Sequence, residues 1–330
     1  MTHSWREHEA FVTYLSPFLH MAQLDLRMAA ASRLHVPFSN CWRALMLTAM
    51  LLGLCACSPR LLLVRGMADG LAAQGQSPED DLVLEREASA FYLKLSESLL
   101  QEVPDHLPLS QALASGFTQY AYAFVSFEAE RIESRDSRAA QVLRERAARL
   151  YARANRHAMA ALEHSQSGFR HALASNNPKD WPRLRADQIG LAYWGAASWG
   201  GLISLSKDKP DTVADLPLAM RLAQLAYAQQ PGYGQGALAG LMASFESARP
   251  GGSGAQALRY FDQAVALGGE AAASPWVAKA EGVALPAGDR AGFEALLQQA
   301  LRVAANHPDL QNAVMRERAQ WLLSSADDLF

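Results

Sequence analysis

From Asp81 onward, apolar residues recur at the three- and four-residue spacing of a helix. Leu82, Ala88, Phe91, Tyr92, Leu95 and Leu99 predict one apolar helix face, and Pro104 and Pro108 close that segment. A second helix is predicted over 109–132, rich in rings at Phe117, Tyr120, Tyr122, Phe124 and Phe127, and a third over 137–163. Asn176-Asn177-Pro178 reads as a loop, and Trp181-Pro182 as the start of the next helix, with proline in its first turn. Two uncharged stretches break the amphipathic pattern. Residues 44–56 are too short for a bilayer, which takes about 20 residues, but have the length of a signal-peptide core. Residues 188–206 approach the length of a span, yet their four glycines and three serines fit a buried central helix better than a transmembrane one.

Spacing also shows a repeat. The second helix of a tetratricopeptide repeat sets small, large and small residues as Ala-x3-Phe-x2-Ala, because alanine lets helix backbones approach and the ring fills the groove between pairs. Ala147, Tyr151 and Ala154 fit, as do Ala257, Phe261 and Ala264. Ala219, Ala223 and Ala226 give a weaker version with Pro231 after it, and Phe293, Leu297 and Ala300 a weaker one again, with Pro308 a little late. The starts at 147, 219, 257 and 293 leave room for one degenerate unit around Trp181–Leu205.

Composition sharpens this picture. Half of the 330 residues are hydrophobic, dominated by Ala and Leu, which favours helix over sheet. A net charge of −3 with interspersed signs speaks against nucleic acid as a partner. The three cysteines, Cys41, Cys55 and Cys57, leave none from Ser58 to Phe330, so that stretch forms no disulfide and no thiolate zinc site. Their clustering has a local explanation. Arg43 precedes the apolar run, with Arg27 and Arg33 as a basic leader, and the run ends in Leu54-Cys55-Ala56-Cys57-Ser58, which resembles a bacterial lipobox. Cys57 is read as the lipidated first residue of the mature chain, since lipidation at Cys55 would put bulky Leu54 beside the cut; the chain is then anchored to a membrane rather than spanning it. Met28 makes a more ordinary start than Met1, so residues 1–27 read as an annotation artefact ahead of a signal peptide ending at 56. Residues 57–80 read as anchor and linker, and 81–330 as one helical domain.

Enzyme chemistry is absent from the motifs. There is no phosphate loop, no His-Glu-x-x-His and no nucleophile elbow, so no catalytic residue, metal ligand or cofactor is expected. His157, His164 and His171 recur every seven residues and read as solvated helix surface, and Glu128, Glu130 and Glu133 among Arg131 and Arg135 as a charged face. Asp327-Asp328 is too isolated for a catalytic pair. The rings of Tyr193, Trp194 and Trp199 are either ordinary core or the lining of an apolar cavity, and Tyr233 and Trp276 join them as candidate ligand contacts.

Four segments together resemble the T component (TatT) of TRAP transporters, lipoproteins found beside periplasmic substrate-binding proteins. They are Arg146–Ala154, the Trp194-x4-Trp199-Gly200 helix, Met220-x6-Tyr227-x3-Pro231-Gly232-Tyr233-Gly234-Gln235-Gly236, and the terminal Arg318-Ala319-Gln320-Trp321-Leu322-Leu323-Ser324-Ser325-Ala326-Asp327-Asp328-Leu329-Phe330. The resemblance covers roughly 85–330. It implies an all-α, tetratricopeptide-like superhelix around a mostly apolar pore, a homotrimer that docks the periplasmic substrate-binding (P) subunit, and binding or transfer of a hydrophobic or organic-acid ligand without catalysis. With the lipobox, and with Ser58 after the cysteine, the expected location is the periplasm, on a lipid anchor in the outer membrane. The alternative is a repeat scaffold that organises envelope proteins and binds no small molecule.

Overall fold

The computed structural model describes residues 59–74 and 81–330. The apolar run at 44–56, Cys57 and the proposed start at Met28 lie outside the described residues. Among those described, all regular structure is helical. The chain opens with α1 (Pro59–Gln74) and α2 (Leu82–Glu102). Next, α3 (Leu107–Tyr120) runs through a π-helical turn (Ala121–Ser126) into α4 (Phe127–Ile132), and the long α5 (Ser137–Ser165) and short α6 (Phe169–Ala174) follow. The middle of the chain holds α7 (Ile189–Ser204), α8 (Pro210–Ala214), α9 (Leu216–Gln229) and α10 (Ala237–Ala248). The last third holds α11 (Gly254–Gly268), then α12 (Ser274–Lys279) with a second π turn (Ala280–Ala284), α13 (Arg290–Asn306), α14 (Leu310–Ser324) and α15 (Ala326–Leu329).

Aspartates start many of these helices. Asp81, Asp136, Asp289 and Asp309 each accept a hydrogen bond from a backbone N–H of the first turn, at 2.7–3.1 Å, which satisfies donors the helix itself cannot. His106 does the same for α3 through Nδ1, while its Nε2 holds Asp69 of α1 at 3.0 Å. That contact and the apolar group of Ala68, Val103 and Leu109 fix α1 on the α2–α3 corner.

Helices pack mainly against their successors: α3 on α5, α5 on α7, α7 on α9, α9 on α10, α10 on α11, α11 on α12, α12 and α13 on α14. The succession then returns to its start, because α14 also contacts α2 and reaches α4 through Arg318 and Trp321. The alanine and ring positions of all four repeat matches are buried, none above 6% exposed.

The 188–206 stretch forms α7, gripped on several sides. Backbone-close contacts explain its glycines: a side chain at Gly195 would meet Ala158 and Leu222, at Gly200 the Phe245 ring, and at Gly201 the Tyr151 ring. No helix among the described residues is long and apolar enough to cross a membrane.

Two local expectations are corrected. In α2 the buried positions are Leu93 and Ser96, packed with Leu99 and Leu100 toward α1 and α3, while Phe91 (65% exposed) and Leu95 (38%) of the expected core face point outward. Both stripes have helical spacing, and the neighbouring helices choose between them. Trp181-Pro182 does not start a helix. The Trp181 indole donates to the Ser175 carbonyl at 2.9 Å and Arg221 covers its ring at 4.3 Å, which holds the segment irregular until a 3-10 turn at Ala186–Gln188 leads into α7.

Candidate functional site

The structure brings three of the five candidate rings together. Tyr193 and Trp194 are neighbours on α7, with ring centroids 4.8 Å apart in edge-to-face geometry, and Tyr233 lies 5.3 Å from Tyr193. Tyr233 reaches them because its loop folds back sharply. Gly234, Gln235 and Gly236 all have positive φ (60°, 52° and 92°), a run that glycine makes accessible. The loop is then pressed onto α11, so that side chains at Gly236 and Gly268 would strike backbone carbonyl oxygens. Burial raises the hydroxyl pKa of Tyr193 and of Tyr233, yet both rings keep some accessible surface.

The other two rings lie apart. Trp199 packs on the same core as Tyr193 but donates from its indole to Asp215 at 3.3 Å. Trp276 belongs to the separate core of α12–α14, and its indole is spent on the Gly269 carbonyl at 2.7 Å. It borders two open grooves of about 510 and 420 Å³ near α13.

Two polar clusters escaped the reading of the sequence. Glu97 of α2 accepts hydrogen bonds from Lys94 and Arg153 and faces His157 Nε2 at 2.9 Å. Burial pushes its carboxyl up, but the bonds from Arg153, Lys94 and His157 outweigh this and hold its pKa at about 2. His157 stacks on Phe117 at 5.9 Å, so it is not the solvated residue its spacing suggested, and burial lowers its pKa. His164 and His171 are exposed as expected.

The second cluster closes the helical succession. Arg318 of α14 donates from Nη1 to Glu130 at 2.5 Å and from Nη2 to Glu281 at 2.6 Å, its guanidinium lying 5.1 and 5.0 Å from the Phe127 and Trp321 rings. Glu130 is therefore more than part of a charged surface. A sequence signal existed: Arg318 has Val314, Met315, Trp321 and Leu322 one turn away on either side, and Glu281 has Val277, Ala278, Ala284 and Leu285. Charges with no partner on their own helix must find one on another.

The terminal segment completes this closure. Phe330 meets the buried Phe293 ring at 5.3 Å, and Asp327 accepts from Arg290 at 2.7 Å. The model of one family, described as the TRAP transporter T-component, matches residues 78–330, which takes in every helix from α2 to that segment. The chain belongs to the TRAP-transporter T-component family. T components are transport accessories and not enzymes. Their role implies association with other TRAP subunits and a periplasmic or envelope location. The chain is also similar to an uncharacterized protein of Treponema pallidum (strain Nichols), at 28% identity over 265 residues that cover 76% of this chain and 81% of the relative.

Proposed function

We propose that this chain is a lipid-anchored periplasmic accessory protein of a TRAP-type uptake system. In this reading its tetratricopeptide-like helix pairs enclose an apolar space that binds a small ligand, and its outer surface docks the periplasmic substrate-binding subunit. The ring group Tyr193–Trp194–Tyr233 carries the ligand half of the proposal. Burial shifts the hydroxyls of Tyr193 and Tyr233 upward, yet all three rings keep some accessible surface, as side chains facing an internal space would. Of the two ligand classes the family suggests, this wall favours the hydrophobic one, since no basic side chain belongs to the ring group. The outward stripe of Leu84, Phe91 and Leu95 on α2 supports protein docking and trimer formation, because a T component that stood alone would gain nothing from exposing it. Cys57 is the proposed lipid acceptor and the outer membrane the proposed site of the anchor.

A fluorescence titration tests the ligand half. Trp194→Ala is expected to weaken binding of the apolar probe N-phenyl-1-naphthylamine about tenfold, roughly 1.4 kcal/mol, with helix content and melting temperature little changed. Collapse of the fold would make the ring core, and unchanged probe binding would remove it from the site. For the anchor, Cys57→Ala should abolish incorporation of labelled palmitate in cells, and continued labelling would exclude Cys57 as the acceptor.

A further inference from the structure

Helix α1 is apolar on two sides. Its inner face sets Val64, Ala68 and Leu71 against Val103 and Leu109 of the α2–α3 corner. Its outer face presents Leu62, Leu63, Gly66, Met67, Gly70 and Ala73, all exposed and without a single charged or hydrogen-bonding side chain. At helical spacing these six fall within about 140° of the helix circumference. Leu62, Leu63 and Met67 project from that face, 72%, 66% and 50% exposed. The charges of α1 are Arg60, Arg65 and Asp69, and all three turn to the body of the domain. Arg60 pairs with Glu102, Arg65 with Asp105 and Asp69 with His106, at 2.9, 2.6 and 3.0 Å.

A helix that faces water carries charged and polar residues on that side, so the outer face of α1 is built to be covered. Two observations say by what. The first is covalent reach. Pro59, where α1 begins, follows Cys57 by two residues, a span of about 7 Å at full extension, and the helix then rises about 1.5 Å per residue. Leu62 therefore stays within roughly 12 Å of Cys57. With acyl chains on that cysteine, the first turn of α1 is kept at the lipid surface. The second is the chemistry of the face. Protein interfaces centre on Trp, Tyr and Arg and are rimmed by polar groups, as the α2 stripe is in part, with Phe91 and Tyr92. The α1 face has no ring and no polar side chain. It offers apolar area alone, which is what the boundary of a bilayer takes up.

We propose that α1 lies along the membrane surface, with Leu62, Leu63 and Met67 inserted into the boundary between headgroups and acyl chains. The contacts of Arg60, Arg65 and Asp69 with the α2–α3 corner then fix the attitude of the helical domain over the bilayer, where a lipid on a free leash would leave it to tumble. The inference rests on the proposed acylation of Cys57 and extends it: the lipid attaches the domain and α1 orients it.

The lack of cysteine from Ser58 to Phe330 makes a direct test simple. Leu62→Cys and Met67→Cys, with Leu258→Cys on α11 as a control, are expressed with the chain's own leader and labelled with nitrobenzoxadiazole. Each is reconstituted into vesicles of phosphatidylethanolamine and phosphatidylglycerol, and the intact mass reports the acyl chains. All three positions are exposed, so none of the substitutions threatens the fold. Lipid-borne nitroxide is expected to quench the labels at 62 and 67 at least about threefold more than the label at 258, with aqueous iodide giving the reverse order. Adding Leu62→Ser and Leu63→Ser to Met67→Cys should return its label to the control value. Iodide quenching at 62 and 67 equal to that at 258, on an acylated protein, overturns the membrane face and leaves the anchor intact. Labels shielded from both quenchers mean that a second copy covers the face, which also overturns it. Nitroxide quenching without acyl chains would remove the anchor and uphold the face, and the absence of both would overturn both.

Discussion

Arg318 shows what a single residue does in this fold. Its own helix offers it no partner, so its charge is stable only where Glu130 and Glu281, 188 and 37 residues away, meet it. Arg318→Ala leaves Glu281 buried beside a like charge, and a loss of about 3 kcal/mol in urea denaturation is expected. Arg290 also bridges to the terminal segment, but from the solvent-exposed surface, so Arg290→Ala should leave the urea midpoint nearly unchanged. Equal effects of the two would mean the closure cluster contributes no more than a surface pair. That Arg318 and Glu281 need distant partners was legible from their apolar neighbours at one helical turn. Which distant residues they meet was not, because no local pattern states which helices become adjacent. The ring group divides in the same way. Tyr193 and Trp194 are adjacent in the chain, whereas Tyr233 joins them only through the positive-φ turn at Gly234–Gly236.

Among the elements, α7 has the least tolerance. Its glycines receive side chains from helices on several sides, so each added atom must displace a neighbour. A β-carbon at Gly201 would lie 2.7 Å from the buried Tyr151 ring. Gly201→Val is therefore expected to cost about 1–3 kcal/mol by overpacking. Gly70 on α1 has nothing within 4 Å, and Gly70→Ala should be neutral or stabilising by up to about 1 kcal/mol through helix propensity alone. Thermal melts of the two variants check this, and a destabilising Gly70→Ala or a harmless Gly201→Val would contradict the packing described. The helical class and the alanine-rich repeat positions were readable because they depend on spacing within one element. The face of α2 was not, since Phe91-Tyr92-Leu95 and Leu93-Ser96-Leu100 are both permitted by periodicity and only the surrounding helices select one. The irregular stretch after Trp181 was missed for a related reason: its conformation depends on Arg221, 40 residues downstream.

At the scale of the whole molecule, contacts between distant parts of the chain also set its response to acid. Glu97 joins α2 to α5, with Lys94, Arg153 and His157 around it. Its carboxyl pKa is depressed to about 2 in the folded state from 4.5. Its contribution is therefore complete above pH 4.5 and is lost as pH falls toward 2. His157 acts in the same direction at milder pH. Burial lowers its pKa, so below 6.5 the unfolded chain takes up a proton that the folded chain resists, and stability declines. Urea midpoints should thus fall in two stages on acidification, and Glu97→Gln should remove most of the lower one. An unchanged profile in that variant would mean other carboxylates govern acid unfolding.

The family match over residues 78–330 is the basis for the transport-accessory role, and the grouping of Tyr193, Trp194 and Tyr233 with the exposed apolar residues of α2 is the basis for the ligand and docking halves proposed for it. The function proposed above requires two things at once, a bound small molecule and a bound protein. Native mass spectrometry of the full-length protein, alone and with the substrate-binding subunit of its own TRAP system, tests both in one measurement. A complex with that subunit, formed by a protein that carries a small bound mass, is the predicted result. An empty protein that ignores the subunit would contradict the account.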